Sequence, residues 1–250
     1  NTKIENIDLP DTLISIGEGA FSACSNLKNV IIPRSVKKIE NAAFSGCENL
    51  SGINVADGNT NYTSVDGVLY DKECKNIISV PGDLKGSLKI PEGITSIGDS
   101  MFAHCKISEI EFPKTLQYIG DWAFSQCKNI RNIVIPENVE NVGNSVFRNC
   151  ESLESAEIYA KLKDLKGMFS ACYHLKEVIY PDTLEILDFM YCESLETLVI
   201  NDSVNLLETV YDCKNLQSIY LGANVKLGEY FSFHGCQRLT DIKVSNENPY

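Results

Sequence analysis

The chain has 250 residues, of which 44% are hydrophobic; that is enough to bury a core and excludes a disordered chain. Lys and Arg total 22 against 34 Asp and Glu, and the formal charge of -12 argues against a nucleic-acid partner or an anionic membrane surface. No apolar run approaches the roughly 18 residues of a membrane span, so membrane insertion is not expected.

The chain opens on a short strand, Ile4-Glu5-Asn6-Ile7-Asp8-Leu9-Pro10. Its apolar residues alternate, and the proline, which cannot donate to a ladder, ends it. The device recurs along the chain. Leu27 to Pro33 leads to Val36, Ile39, Ala43-Phe44 and Cys47. Ile107 to Pro113 leads to Leu116, Ile119-Gly120, Ala123-Phe124 and Cys127. Ile130 to Pro136 leads to Val139, Val142-Gly143, Phe147 and Cys150. The shared pattern is L-x-x-I-x-I-P-x-x-V-x-x-I-G-x-x-A-F-x-x-C. Each unit reads as a strand, a return segment and, over A-F-x-x-C, one helical turn. A coil of that size cannot bury its apolar face alone, so the coils must stack.

The spacing breaks once, between Cys47 and Cys105. Asn59 to Tyr70 and Ile77 to Pro81 read there as two apolar strands joined by the polar turn Asp71 to Asn76, an inserted β-hairpin within residues 57–83. Its functional reading is a protruding contact element; the plainer reading, which the sequence favours, is a spacer that adjusts coil register. Farther on, the coils ending at Cys192 and Cys213 are trimmed. The last residues, Asn246-Glu247-Asn248-Pro249-Tyr250, echo Gly58-Asn59-Thr60-Asn61-Tyr62. No capping segment precedes the first strand, and solenoids need caps, so the chain reads as an excerpt of a longer protein.

Nine of the ten cysteines, all but Cys74, fall on the repeat. Equivalent residues of stacked coils point the same way, so the expectation is a buried row of small apolar thiols, not disulfides. Cys74 falls in the hairpin turn and is expected to be exposed. No metal-binding spacing occurs. His104, His174 and His234 lie coils apart and cannot converge, and no nucleophile elbow or phosphate loop is present. No catalytic residue, metal or cofactor is expected.

These motifs, spread over nearly all 250 residues, resemble the BspA-like (treponemal-type) leucine-rich repeat family of cell-surface proteins. The resemblance implies one domain over residues 1–250, an α/β solenoid. Its right-handed coils carry a parallel concave sheet, with short helical turns or short strands on the convex side and one inserted hairpin. It also implies a secreted or surface-displayed bacterial protein that binds or adheres, with host extracellular or cell-surface proteins as partners in some members. A structural spacer presenting other domains is the alternative, and an accessory region of a surface hydrolase is a second.

Function then belongs to the surface. The strand residue between the two inner apolar positions points out of the sheet. Down the stack this position holds Glu111, Val134, Glu157, Ile179, Val199 and Tyr220, among others. Ile179, Val199 and Tyr220 on successive coils form a candidate binding patch, though β-branched residues also simply suit strands. Glu111 and Glu157 frame a basic partner or stand as solvated charges. Trp122, the only tryptophan, replaces small residues at its repeat position and is a candidate contact anchor or a local packing residue.

Overall fold

The proline-terminated segments form parallel strands in a computed structural model that describes residues 3–250. The chain divides into two compact units: residues up to Ile97 with His104–Leu116, and Gly98–Ala103 with Gln117–Tyr250. The strands of the first are β1 (Ser15–Ile16), β2 (Asn29–Ile32), β3 (Lys38–Ile39), β4 (Gly52–Val55), β5 (Tyr62–Val65), β6 (Val68–Asp71), β7 (Ile77–Ser79), β8 (Lys85–Lys89), β9 (Ser96–Ile97) and β10 (Lys106–Glu111). Those of the second are β11 (Tyr118–Ile119), β12 (Asn132–Ile135), β13 (Asn141–Val142), β14 (Ser155–Ile158), β15 (Glu177–Ile179), β16 (Ile186–Met190), β17 (Thr197–Ile200), β18 (Leu206–Tyr211), β19 (Ser218–Leu221), β20 (Lys226–Leu227) and β21 (Asp241–Val244).

Within the first unit β2 pairs with β4, β8 with β10 and β1 with β3, all parallel. Within the second, β12–β14–β15 and β17–β19–β21 make one row. The return segments make another, β11–β13 and β16–β18–β20. Each coil thus supplies a strand to the first row and a return strand to the second: a parallel-strand solenoid. Alternation decides what lies inside. In β12, Ile133 and Ile135 are buried while Asn132 and Val134 face out.

The helical turn expected over A-F-x-x-C does not form, and no residue described is helical. Two positions in most of these turns are left-handed. Two residues before the phenylalanine stand Gly19, Ala42, Ser100, Trp122, Ser145 and Gly167, with φ from 53° to 60°. Just before the cysteine stand residues such as Ala23, Gln126, Asn149, Ala171 and Tyr191, with φ from 56° to 61°. A right-handed helix needs φ near −63° throughout. The left-handed residues turn alternate N–H groups toward the next coil: Trp122, Phe124 and Gln126 donate to Asn144, Val146 and Arg148 at 3.0, 3.0 and 2.8 Å. Donors spent between coils cannot be spent within a helix. In the trimmed coils the first left-handed residue is missing, and the return strands β16 and β18 run on to five and six residues.

The phenylalanines stack inside these turns. Phe21 lies over Phe44 at 5.4 Å between ring centroids, and Phe102, Phe124, Phe147 and Phe169 follow one another at 5.1, 5.5 and 6.2 Å. All ten cysteines are free thiols. Cys24, Cys47, Cys105, Cys127, Cys150, Cys172, Cys192 and Cys213 are buried, whereas Cys236 and Cys74 are half-buried. Cys74 is thus less exposed than its turn position implies.

The insertion has three strands, not the two of a simple hairpin. β5–β6–β7 is an antiparallel meander. It does not protrude: Val68, Leu69 and Tyr70 are fully buried. Ile53 N–H donates to Gly67 O at 2.8 Å, and Ile39 N–H to the Tyr62 hydroxyl at 2.8 Å. The meander therefore occupies the place of a coil, as a spacer would. The chain rejoins the stack where Asp83 N–H meets Leu50 O at 2.8 Å. It passes so close there that a Cβ at Gly82 would sit 2.5 Å from Cys47 O.

Asn59 anchors the insertion. Its amide donates to Pro33 O and Val36 O, and its carbonyl accepts from Asn61 N–H and Tyr62 N–H. Asn248 makes the same bracket, donating to Gly222 O and Val225 O and accepting from Tyr250 N–H. The echo in the last residues is therefore real, but its register pairs Asn248 with Asn59, not with Thr60.

Candidate binding surface

The outward column of the first row is the exposed feature that the strands build most regularly. In the second unit, register sets Val134 beside Glu157 and Glu157 beside Ile179. It likewise sets Val199 beside Tyr220 and Tyr220 beside Lys243. Val134, Ile179, Val199 and Tyr220 are 47%, 46%, 63% and 38% exposed. Glu157 is half-buried, and its carboxylate accepts the Tyr159 hydroxyl at 2.5 Å. That bond and the adjacent negative charge raise the Tyr159 phenol above its usual range.

Tyr159 and Tyr180 were not apparent as site residues from the sequence. Tyr180 stands where Ile135, Ile158, Ile200 and Leu221 point inward. A phenol at that position cannot be buried dry, and its hydroxyl donates to Val199 O at 2.7 Å. The ladder is interrupted there: β15 pairs only with β14, and β17 only with β19. Tyr180 bridges the seam between Ile179 and Val199. The signal was legible as a tyrosine in an isoleucine column.

Two open grooves flank the column. One of about 470 Å³ runs past the strand ends beside Lys161, Asp182, Thr183, Asp202 and Asn224. The other, about 480 Å³, lies before the strands beside Lys176, Ser194, Glu196 and Thr197. Both are open and lined by polar and charged residues.

The remaining candidates sit apart from this column. Glu111 belongs to the first unit and is ion-paired with Lys89 at 2.5 Å across β8–β10. Trp122 is on a turn of the second unit, 41% exposed, with the Arg148 guanidinium 5.2 Å from its ring centroid. Of the histidines, His174 shares a 2.6 Å hydrogen bond with Glu151 O, and His234 stacks on Tyr211 at 5.2 Å. Among the described residues no three His, Cys, Asp or Glu side chains are grouped to hold a metal.

Asp188 is the least expected titratable group. It takes the place of the alanine in A-F-x-x-C, and both its oxygens accept Gly167 N–H at 3.0 Å. Burial pushes its carboxyl from 3.8 up to about 6, against the pull of the Gly167 N–H. Glu208 and Asp164 add to the rise, and Lys166 opposes it.

A stack of parallel coils with this two-row geometry defines a leucine-rich-repeat solenoid. The family model for the BspA type leucine rich repeat region matches residues 1–81, 83–188 and 188–249, and the chain belongs to that family. No curated protein matches the sequence. A leucine-rich repeat protein from Bacteroides ovatus is 25% identical with a TM-score of 0.72, covering 97% of this chain and 70% of its own. One from Eubacterium ventriosum is 26% identical with a TM-score of 0.61 over 88% of this chain, which spans only 55% of that protein. The pneumococcal vaccine antigen PcpA shares the fold at 19% identity and a TM-score of 0.55, with 98% of this chain and 68% of its own covered.

Proposed function

We propose that the chain is a non-catalytic protein-binding module of a surface-displayed bacterial protein, engaging its partner through the outward face of the first-row strands. The observation that carries this reading is the exposure of Ile179, Val199 and Tyr220 on successive coils of a parallel stack. Side chains carried on strands bind with no backbone ordering cost beyond that of folding, and aromatic anchors concentrate binding energy. Membership of the BspA-type family supports the surface location and an adhesive role toward other cells or their extracellular proteins. A peptide-display selection against the whole chain tests the face. Selected binders are expected to lose affinity for a Val199→Ser, Tyr220→Ala variant. Selected binders that hold that variant as tightly as the parent would place binding elsewhere.

A further inference from the structure

The apolar column does not stand in neutral surroundings. Glu157 is the register neighbour of Ile179, and Glu177 is the next outward residue on the same strand. Glu196 immediately precedes β17, and Asp182 and Asp202 edge the groove past the strand ends. Glu177, Glu196, Asp182 and Asp202 are exposed. Among the described residues none of these five carboxylates forms an ion pair.

The cations nearby are mostly committed elsewhere. Lys176 is paired with Glu154 at 2.7 Å, Lys163 with Glu185 at 3.2 Å and Lys243 with Asp241 at 2.9 Å. In the groove past the strand ends, Lys161 is the one cation with no carboxylate partner among the described residues. The rim therefore carries a net negative field around an apolar strip, and such fields select partners of opposite sign and speed their association.

We infer that the occupant of this face is a basic protein segment. It sets apolar side chains on Ile179, Val199 and Tyr220 and places Lys or Arg side chains against Glu157, Glu177 and Glu196. The inference rests on the reading of this face as a protein-binding surface and adds the charge of the partner.

The test titrates three fluorescently labelled synthetic peptides into the whole chain: alternating Lys and Leu, alternating Glu and Leu, and alternating Lys and Ser. The Lys-Leu peptide is expected to bind tightest, with affinity falling as salt rises. A Glu157→Gln, Glu177→Gln, Glu196→Gln variant should weaken it about tenfold, the combined effect of three exposed ion pairs. A control of equal charge change in the first unit, Glu18→Gln, Glu48→Gln, Asp57→Asn, should not. All six side chains lie off the core, and circular dichroism confirms that both variants are folded. Equal binding of the Lys-Ser peptide, or equal weakening in the control, would overturn the inference, since overall charge then suffices. Tighter binding of the Glu-Leu peptide, abolished by Val199→Ser, would overturn the basic preference while leaving the binding face intact. Lys-Leu binding indifferent to Val199→Ser with Tyr220→Ala and to the triple variant would remove both.

Discussion

The Cys150 thiol donates to the carbonyl of Phe124, one coil earlier, at 3.2 Å. The same carbonyl accepts Cys127 N–H of its own turn at 3.2 Å. The left-handed residue ahead of each cysteine closes the turn and leaves the phenylalanine carbonyl buried with one lone pair open. The next cysteine fills it. Cys127 does so for Phe102 at 3.0 Å, Cys172 for Phe147 at 3.1 Å and Cys47 for Phe21 at 3.1 Å. The thiol is small enough for the core and still a donor, which alanine is not.

That role predicts an ordering of variants. Cys150→Ala removes the donor and leaves a small void, and should cost about 1–3 kcal/mol in urea unfolding. Cys150→Ser keeps a donor and should cost less. A serine variant less stable than the alanine would show that packing alone decides the position. Burial also pushes the Cys150 thiol up to about 12, so it should resist alkylation at pH 8 until the chain unfolds.

Asp188 gives the fold a pH dependence. Its folded carboxyl titrates near 6 and an unfolded one near 3.8, so the folded state holds the proton more tightly. Stability from this group is therefore greatest below about pH 4, declines as pH rises to about 6 and stays low above. The swing is about 2–3 kcal/mol. Asp188→Asn should remove most of it and raise Tm at pH 7, its side-chain carbonyl still accepting Gly167 N–H. A melting curve at pH 7 that is unchanged or lowered would show that the charge is not a burden there.

Tyr180 separates β15 from β17. Tyr180→Ile restores the residue of the neighbouring coils, and the ladder is expected to close between these strands. Amide exchange at Val178 and Val199 should slow about tenfold or more, the effect of roughly 1.4 kcal/mol of added local stability. Unchanged exchange would mean that coil length, not the phenol, holds the seam open.

Asn59 is buried with four hydrogen bonds to the backbone. Asn59→Leu strands two carbonyls and two N–H groups, and is expected to destabilise the first unit by about 3 kcal/mol or more in urea unfolding. The first unit would then unfold at lower urea than the second. An unshifted transition would show that water takes over these groups.

Much of the fold is written in the spacing. Alternation and the prolines of segments such as Ile130–Pro136 identify the first-row strands, because a strand with one buried face must repeat every two residues. The same alternation picks out the outward column, including Ile179, Val199 and Tyr220. The family pattern likewise lies in the local sequence.

The turns, the seam and the insertion were decided by tertiary structure. Phe124 and Cys127 look like part of a helical turn because local propensity is silent on whether an N–H will meet its own coil or the next. The stacked neighbour supplied the acceptors, and the turn became left-handed at two positions. Tyr180 reads as an apolar strand residue until Val199 O is seen beside it, and Asp188 as a solvated acid until Gly167 N–H and the adjoining carboxylates surround it. In a repeat protein the sequence of one coil determines the period and the faces, while the bonds between coils, which no single coil contains, determine the conformation that each turn takes.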